Sequence, residues 1–71
     1  MNIIMKFLKL MYCNGLMECM KTNYDYKLGD IIYVNDCHDL FKCVKITREF
    51  NDIYYHFKQC KVTYDFEWEV I

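Results

Sequence analysis

Between Val62 and Val70 the chain alternates without exception: Val62, Tyr64, Phe66, Trp68 and Val70 take one parity, Thr63, Asp65, Glu67 and Glu69 the other. Successive side chains of a strand point to opposite faces, so this pattern predicts a strand with one face on a core and one in water. A helix would scatter the two sets around its axis. Composition points the same way. The 71 residues include no alanine, serine or proline, so long helices lack their best former. Tyr, Phe, Ile and Val supply much of the 55% hydrophobic content, and they suit a pleated, half-buried surface. That much apolar material argues against disorder, and a chain this short holds one core. The expectation is a single, mainly β domain over 1–71.

Upstream, Asn51-Asp52 forms the natural turn of a hairpin, because both residues tolerate positive φ. The register that follows pairs Phe50 with Ile53, Arg48 with Tyr55 and Ile46 with Phe57 on a largely apolar face. The other face pairs Glu49 with Tyr54, Thr47 with His56, Lys45 with Lys58 and Cys43 with Cys60. Apolar parity then switches from odd (Ile53, Tyr55, Phe57) to even (Val62 onward), which predicts a bend at Gln59-Cys60-Lys61. Lys27-Leu28-Gly29-Asp30 reads as a turn into a strand Ile31–Val34, and residues 35–39 as a polar loop.

The first 23 residues allow two forms. Ile3, Ile4, Phe7, Leu8 and Met11 share a helical stripe, which would make a short helix ending near Gly15. Asn14-Gly15 between two apolar runs is instead the strongest two-residue hairpin signal, and we take the hairpin. Both of its faces are apolar in that register, which predicts central strands covered on both sides.

Residues 24–71 resemble the SH3-like small barrels, including the KOW type. The resemblance is carried by Leu28-Gly29-Asp30-Ile31-Ile32-Tyr33-Val34, the returning Phe41–Ile46, then Ile53–Phe57 and the terminal Phe66–Val70. It implies a small barrel, or failing closure a strongly twisted antiparallel sheet.

The charge balance, −1 with a pI near 6.0, offers neither the basic excess of a nucleic-acid module nor the acidic excess of a DNA mimic. Five cysteines, an odd number, with no secretory leader or membrane-length run, suggest reduced thiols and a cytoplasmic setting. Cys37, His38, Cys43, His56 and Cys60 are all zinc-competent, and the register brings Cys43, His56 and Cys60 together. No cysteine pair has zinc-ribbon spacing, so these residues are expected to be ordinary thiols and imidazoles, with no metal or cofactor. Neither a nucleophile elbow nor a phosphate-binding glycine loop occurs, and an enzyme is not expected.

Two surfaces remain. Asp65, Glu67 and Glu69 form an acidic stripe on the solvent side of the terminal strand, and Tyr54 falls on the polar face of the hairpin. Tyrosine on a wet face is the usual raw material of an interface hot spot. The sequence therefore points to a non-enzymatic module that binds a protein through Tyr54, Asp65, Glu67 and Glu69. Its size and its Asn/Ile/Lys/Tyr-rich, AT-codon composition resemble, by general type, the short phage proteins that inhibit host defences, such as anti-CRISPR inhibitors. A host protein would then be the partner. The alternatives are a nucleic-acid-binding barrel using Lys42, Lys45, Lys58, Lys61 and stacked tyrosines, or a self-associating subunit of a larger assembly, with homodimerisation its simplest form.

Overall fold

The computed structural model describes residues 4–34, 39–63, 65 and 67–71. Six strands form one mixed sheet: β1 (Lys6–Met11), β2 (Met17–Thr22), β3 (Ile31–Val34), β4 (Asp39–Glu49), β5 (Asp52–Val62) and β6 (Trp68–Val70). Their order is β2-β1-β5-β4-β3, and β6 pairs with β5. Of the two forms expected, the open sheet is the one built; it does not close into a barrel. Nor is it wholly antiparallel, because β1 runs parallel to β5, from Lys6 beside Ile53 to Met11 beside Lys58. Beyond Lys58 the same edge of β5 is taken up by β6, starting at Cys60.

The N-terminal segment is a hairpin, and the helix does not form. Its loop is longer than two residues. Gly15 N–H donates to the Tyr12 carbonyl (3.0 Å) and Tyr12 N–H to that of Leu16 (2.8 Å). Gly15 carries a φ of +91°, the arrangement of a three-residue loop ending in a left-handed glycine. The Asn14 side chain caps it by accepting from Leu16 N–H at 3.0 Å. The expectation of two strands covered on both sides is not met: β1 is flanked by β2 and β5 but buries only the Leu8 and Leu10 face. β2 is an edge strand, exposed along almost its whole length, because only β1 approaches it.

Lys27–Asp30 is the expected turn, closed by Asp30 N–H on the Lys27 carbonyl and by Lys27 N–H on Asp30 Oδ2. Gly29, with φ +91°, fits the third position of a type II turn. Paired bonds to Cys43 (Gly29 N–H to its carbonyl, Cys43 N–H to the Asp30 carbonyl, both 2.8 Å) pin this turn to β4.

The β4–β5 register departs from expectation. The two loop residues are Phe50 and Asn51, flanked by the pair Glu49–Asp52, one step earlier than Asn51-Asp52. Arg48 therefore faces Ile53 and Ile46 faces Tyr55, a slip of two that preserves which face each residue occupies. At Val44 a bulge shifts the ladder again, so that Cys43 faces Phe57 and Leu40 faces Cys60.

The C-terminal strand is also corrected. β5 runs unbroken through Gln59-Cys60-Lys61 to Val62, and the chain reverses only afterwards. Thr63 N–H donates to the Glu67 carbonyl (2.7 Å) and Glu67 N–H to Thr63 Oγ1 (3.2 Å), so the middle of the alternating run is a turn that leaves three residues for β6. Tyr64 and Phe66 lie outside the described residues, as do Cys37 and His38. The parity switch itself is present: Tyr55 and Phe57 are buried, then Cys60. It coincides with the exchange of β1 for β6 along β5.

The core lies on one face of the sheet. Leu8, Leu10, Phe41, Cys43, Tyr55 and Phe57 are buried together, bordered by Tyr12, Tyr26, Ile32, Val34 and Ile53. A single sheet needs something laid over its apolar face. Here the segment between β2 and β3 serves: Tyr26 meets Tyr55 and Phe57 edge-on, with ring centroids 5.3 and 5.1 Å apart. An ion pair of Lys6 with Asp25 and a Tyr55 hydroxyl donated to Asp25 Oδ1 (3.4 Å) hold the start of that segment.

Candidate functional site

The face opposite the core is set out in rows by the strand registers. One row across β2, β1, β5 and β4 is Lys21, Phe7, Tyr54, Thr47; the next is Cys19, Lys9, His56, Lys45; the third is Met17, Met11, Lys58, Lys42. Adjacent strands lie about 4.8 Å apart, so the side chains of a row are close neighbours.

Tyr54 belongs to this face but is not the free aromatic that the sequence suggested. It is half-buried, stacked on Phe7 with centroids 5.1 Å apart and planes 15° from parallel, and Lys9 Nζ stands 4.7 Å from its ring centre. Burial first, and then the nearby Asp52 and Glu49 carboxylates, push its phenol pKa up.

The acidic residues are elsewhere. Asp65 and Glu67 are exposed in the turn before β6, and Glu69 is exposed opposite Lys61. Lys61 lies seven residues beyond Tyr54 on β5, roughly 23 Å along the strand. The structure therefore does not bring Tyr54 together with Asp65, Glu67 and Glu69 in one patch, because the turn folds the acidic stripe away from an extended strand.

Nor does it assemble Cys43, His56 and Cys60. Cys43 faces Phe57 in the core, His56 projects between Tyr55 and Phe57 on the opposite face, and Cys60 pairs with Leu40. The shifted turn and the Val44 bulge are what separate the two cysteines. Among the described residues no group of three or more His, Cys, Asp or Glu is placed to hold a metal ion. Cys13, Cys19, Cys43 and Cys60 are free thiols, and burial raises the pKa of Cys43 and of Cys60.

His56 shares a 2.7 Å hydrogen bond between its Nε2 and Thr47 Oγ1. Burial lowers its pKa, and the positive fields of Lys9 and Lys45 lower it further. Beside it opens a cleft of about 430 Å³ lined by Lys9, Met11, Met17, Val44, Lys45 and Lys58, together with His56 and Phe57. Lys9 was missed by sequence reasoning, since only the parallel β1–β5 pairing carries it to His56.

At the far end of the β4–β5 hairpin sits another residue that the sequence did not single out. Phe50 is fully exposed, at 103% of its reference area, and has a φ of +57°. The residue type was visible; its place in the loop was hidden by the assumed Asn51-Asp52 turn.

No protein-family model, curated protein or solved structure matches this chain. Among the described residues no helix is long and apolar enough to cross a membrane.

Proposed function

We propose that this protein is a small non-enzymatic binding module that docks on a partner protein through the tip of its β4–β5 hairpin, with Phe50 entering an apolar pocket of the partner. The observation that carries this is the cost of Phe50 as it stands. A left-handed conformation costs an L-residue about 1–2 kcal/mol, and a phenyl ring left in water forgoes roughly 1.5–3 kcal/mol of burial. Among the described residues no packing recovers the burial that the ring forgoes, because it is fully exposed. A partner pocket would supply the missing burial. Exposed Arg48, Glu49 and Asn51 around the ring would form the polar rim expected of such a contact.

In its finer form the proposal is a short phage-encoded inhibitor acting in the host cytoplasm, where it occludes a surface of a defence protein. Supporting it are the chain's small size, its AT-codon composition and the absence of recognisable catalytic motifs. The likeness to SH3-like barrels would then rest on the β3-β4-β5 meander.

The test replaces Phe50 with the photocrosslinking analogue p-benzoylphenylalanine and irradiates nuclease-treated host lysate. One stoichiometric adduct, absent with the same analogue at Tyr33 and suppressed by excess unlabelled protein but not by excess Phe50→Asn, is the expected result. Loss of the adduct on changing Asp65, Glu67 and Glu69 to lysine in the labelled protein, with excess Phe50→Asn competing as well as the unlabelled protein, would transfer the interface to the acidic end.

A further inference from the structure

We propose that the face opposite the core holds a binding site for a nucleotide, with its phosphate among Lys9, Lys45 and Lys58 and its base against Met11, Met17 and Val44. The site is independent of the hairpin tip.

Four strands converge to build it. Lys9 on β1 and Lys45 on β4 flank His56 on β5 in one row, and Lys58 follows in the next row with Met11 and Met17 beside it. Lysines directly opposite each other destabilise a sheet, yet Lys42 faces Lys58 across β4 and β5. Lys42 turns away to donate to the Trp68 carbonyl at 3.3 Å. Among the described residues neither Lys45 nor Lys58 forms an ion pair. The acidic groups of this face, Glu49 and Asp52, pair with each other's strand at the hairpin end, beyond Tyr54. A protein of net charge −1 thus places Lys9, Lys21, Lys42, Lys45 and Lys58, five of its nine Lys and Arg residues, on one face.

An anion among these ammonium groups relieves their mutual repulsion. The cleft's other walls narrow the ligand class. Met11 and Met17 are adaptable, polarisable surfaces suited to a flat ring, and the cleft of about 430 Å³ falls in the range of small-ligand pockets. Phosphate on one side and a planar apolar group on the other is the chemistry of a nucleotide. Its source is either a free mononucleotide or a unit of a single strand. For a single strand, lysines with an adjoining stacking surface are the usual means of binding.

The experiment measures three probes by equilibrium dialysis: decadeoxythymidylate, thymidine monophosphate and inorganic phosphate. One phosphate neutralised in the cleft predicts that single-strand affinity falls roughly two- to three-fold between 50 and 200 mM salt. Lys45→Glu with Lys58→Glu should weaken binding at least about tenfold, whereas Lys27→Glu with Lys61→Glu, equally exposed but outside the cleft, should leave it nearly unchanged. Lys45→Gln, which introduces no acid, provides a milder variant if the double change disturbs folding. Binding of the decamer alone assigns the site to a single strand, and equal binding of the monophosphate assigns it to a free nucleotide. Failure of both nucleotide probes, equal losses in the two double variants, or inorganic phosphate binding as tightly as the monophosphate would overturn the assignment.

Discussion

Replacing Phe50 with asparagine should make this protein more stable, against the usual direction of substitutions. The ring is fully exposed, so truncation removes no packing. What changes is the backbone term. At φ +57° an ordinary L-residue bears about 1–2 kcal/mol of strain, whereas asparagine visits this region readily because its short side chain bonds locally. Recovering half of the strain gives about 0.5–1 kcal/mol, and for a domain of this size each kcal/mol moves Tm by about 4–8 °C, so the expected rise is about 2–8 °C. Glycine should do similarly, since its greater relief of strain is offset by about 0.5–1 kcal/mol of extra chain entropy. Phe50→Ala keeps the strain and should leave Tm nearly unchanged, which separates backbone from side chain. Thermal melts by circular dichroism, with urea melts of unchanged m-value, make the measurement. A fall in Tm for Phe50→Asn, or for Phe50→Ala, would refute the reasoning by showing that the ring packs on something. If the tip is the docking surface, the stabilised Asn variant should also lose its partner.

Other outcomes follow from burial and charge. His56 titrates below its usual 6.5 in the folded state, so the unfolded chain binds more protons near and below that pH. Its contribution is complete above 6.5 and is lost as pH falls; the urea midpoint should drop between about pH 7 and pH 5, and less so in His56→Gln. Cys43 and Cys60 have raised pKa values, so the sign reverses: stability should decline as pH rises past 9.0, where thiols of the unfolded chain ionise. Iodoacetamide labelling resolved by peptide mass spectrometry should modify exposed Cys13 and Cys19 quickly, and Cys43 and Cys60 only after urea is added. Leu10→Ala, at a fully buried position of β1, should cost about 2–5 kcal/mol and leave little cooperative melting in so small a domain.

The fold was legible where the information is local. Asn14-Gly15 announced its hairpin, Lys27–Asp30 its turn, and Ile31–Val34 its strand, because each rests on residues within a few positions of one another. Legibility failed where tertiary pairing chose between local solutions. Asn51-Asp52 is the better turn by propensity, yet Phe50-Asn51 forms. The ladder it allows puts Ile46 opposite Tyr55 and leaves Asp52 to receive Met5 N–H at 3.4 Å. Alternation from Val62 to Val70 suggested one strand, but β5 already has β4 on one side and β1 on the other as far as Lys58. The remaining free edge, beyond Lys58, accommodates a short β6 only if the chain first reverses at Thr63–Glu67.

The site was less legible than the fold for a related reason. Net charge is an average over the surface, and −1 gave no reason to prefer the lysine surface of the nucleic-acid alternative or to add Lys9 and Lys21 to it. Segregation arises from the parallel β1–β5 pairing, which joins segments almost fifty residues apart and leaves no mark on either. Without that pairing Lys9 has no relation to His56, and Lys45 and Lys58 are only the hairpin lysines of the nucleic-acid alternative. With it, the acids of this face, Glu49 and Asp52, are left at the hairpin end. An open sheet makes this segregation consequential. In a closed barrel the face opposite the core would wrap outward and spread its lysines apart, whereas across neighbouring strands of an open sheet they remain within a few strand spacings, close enough to act on one bound anion.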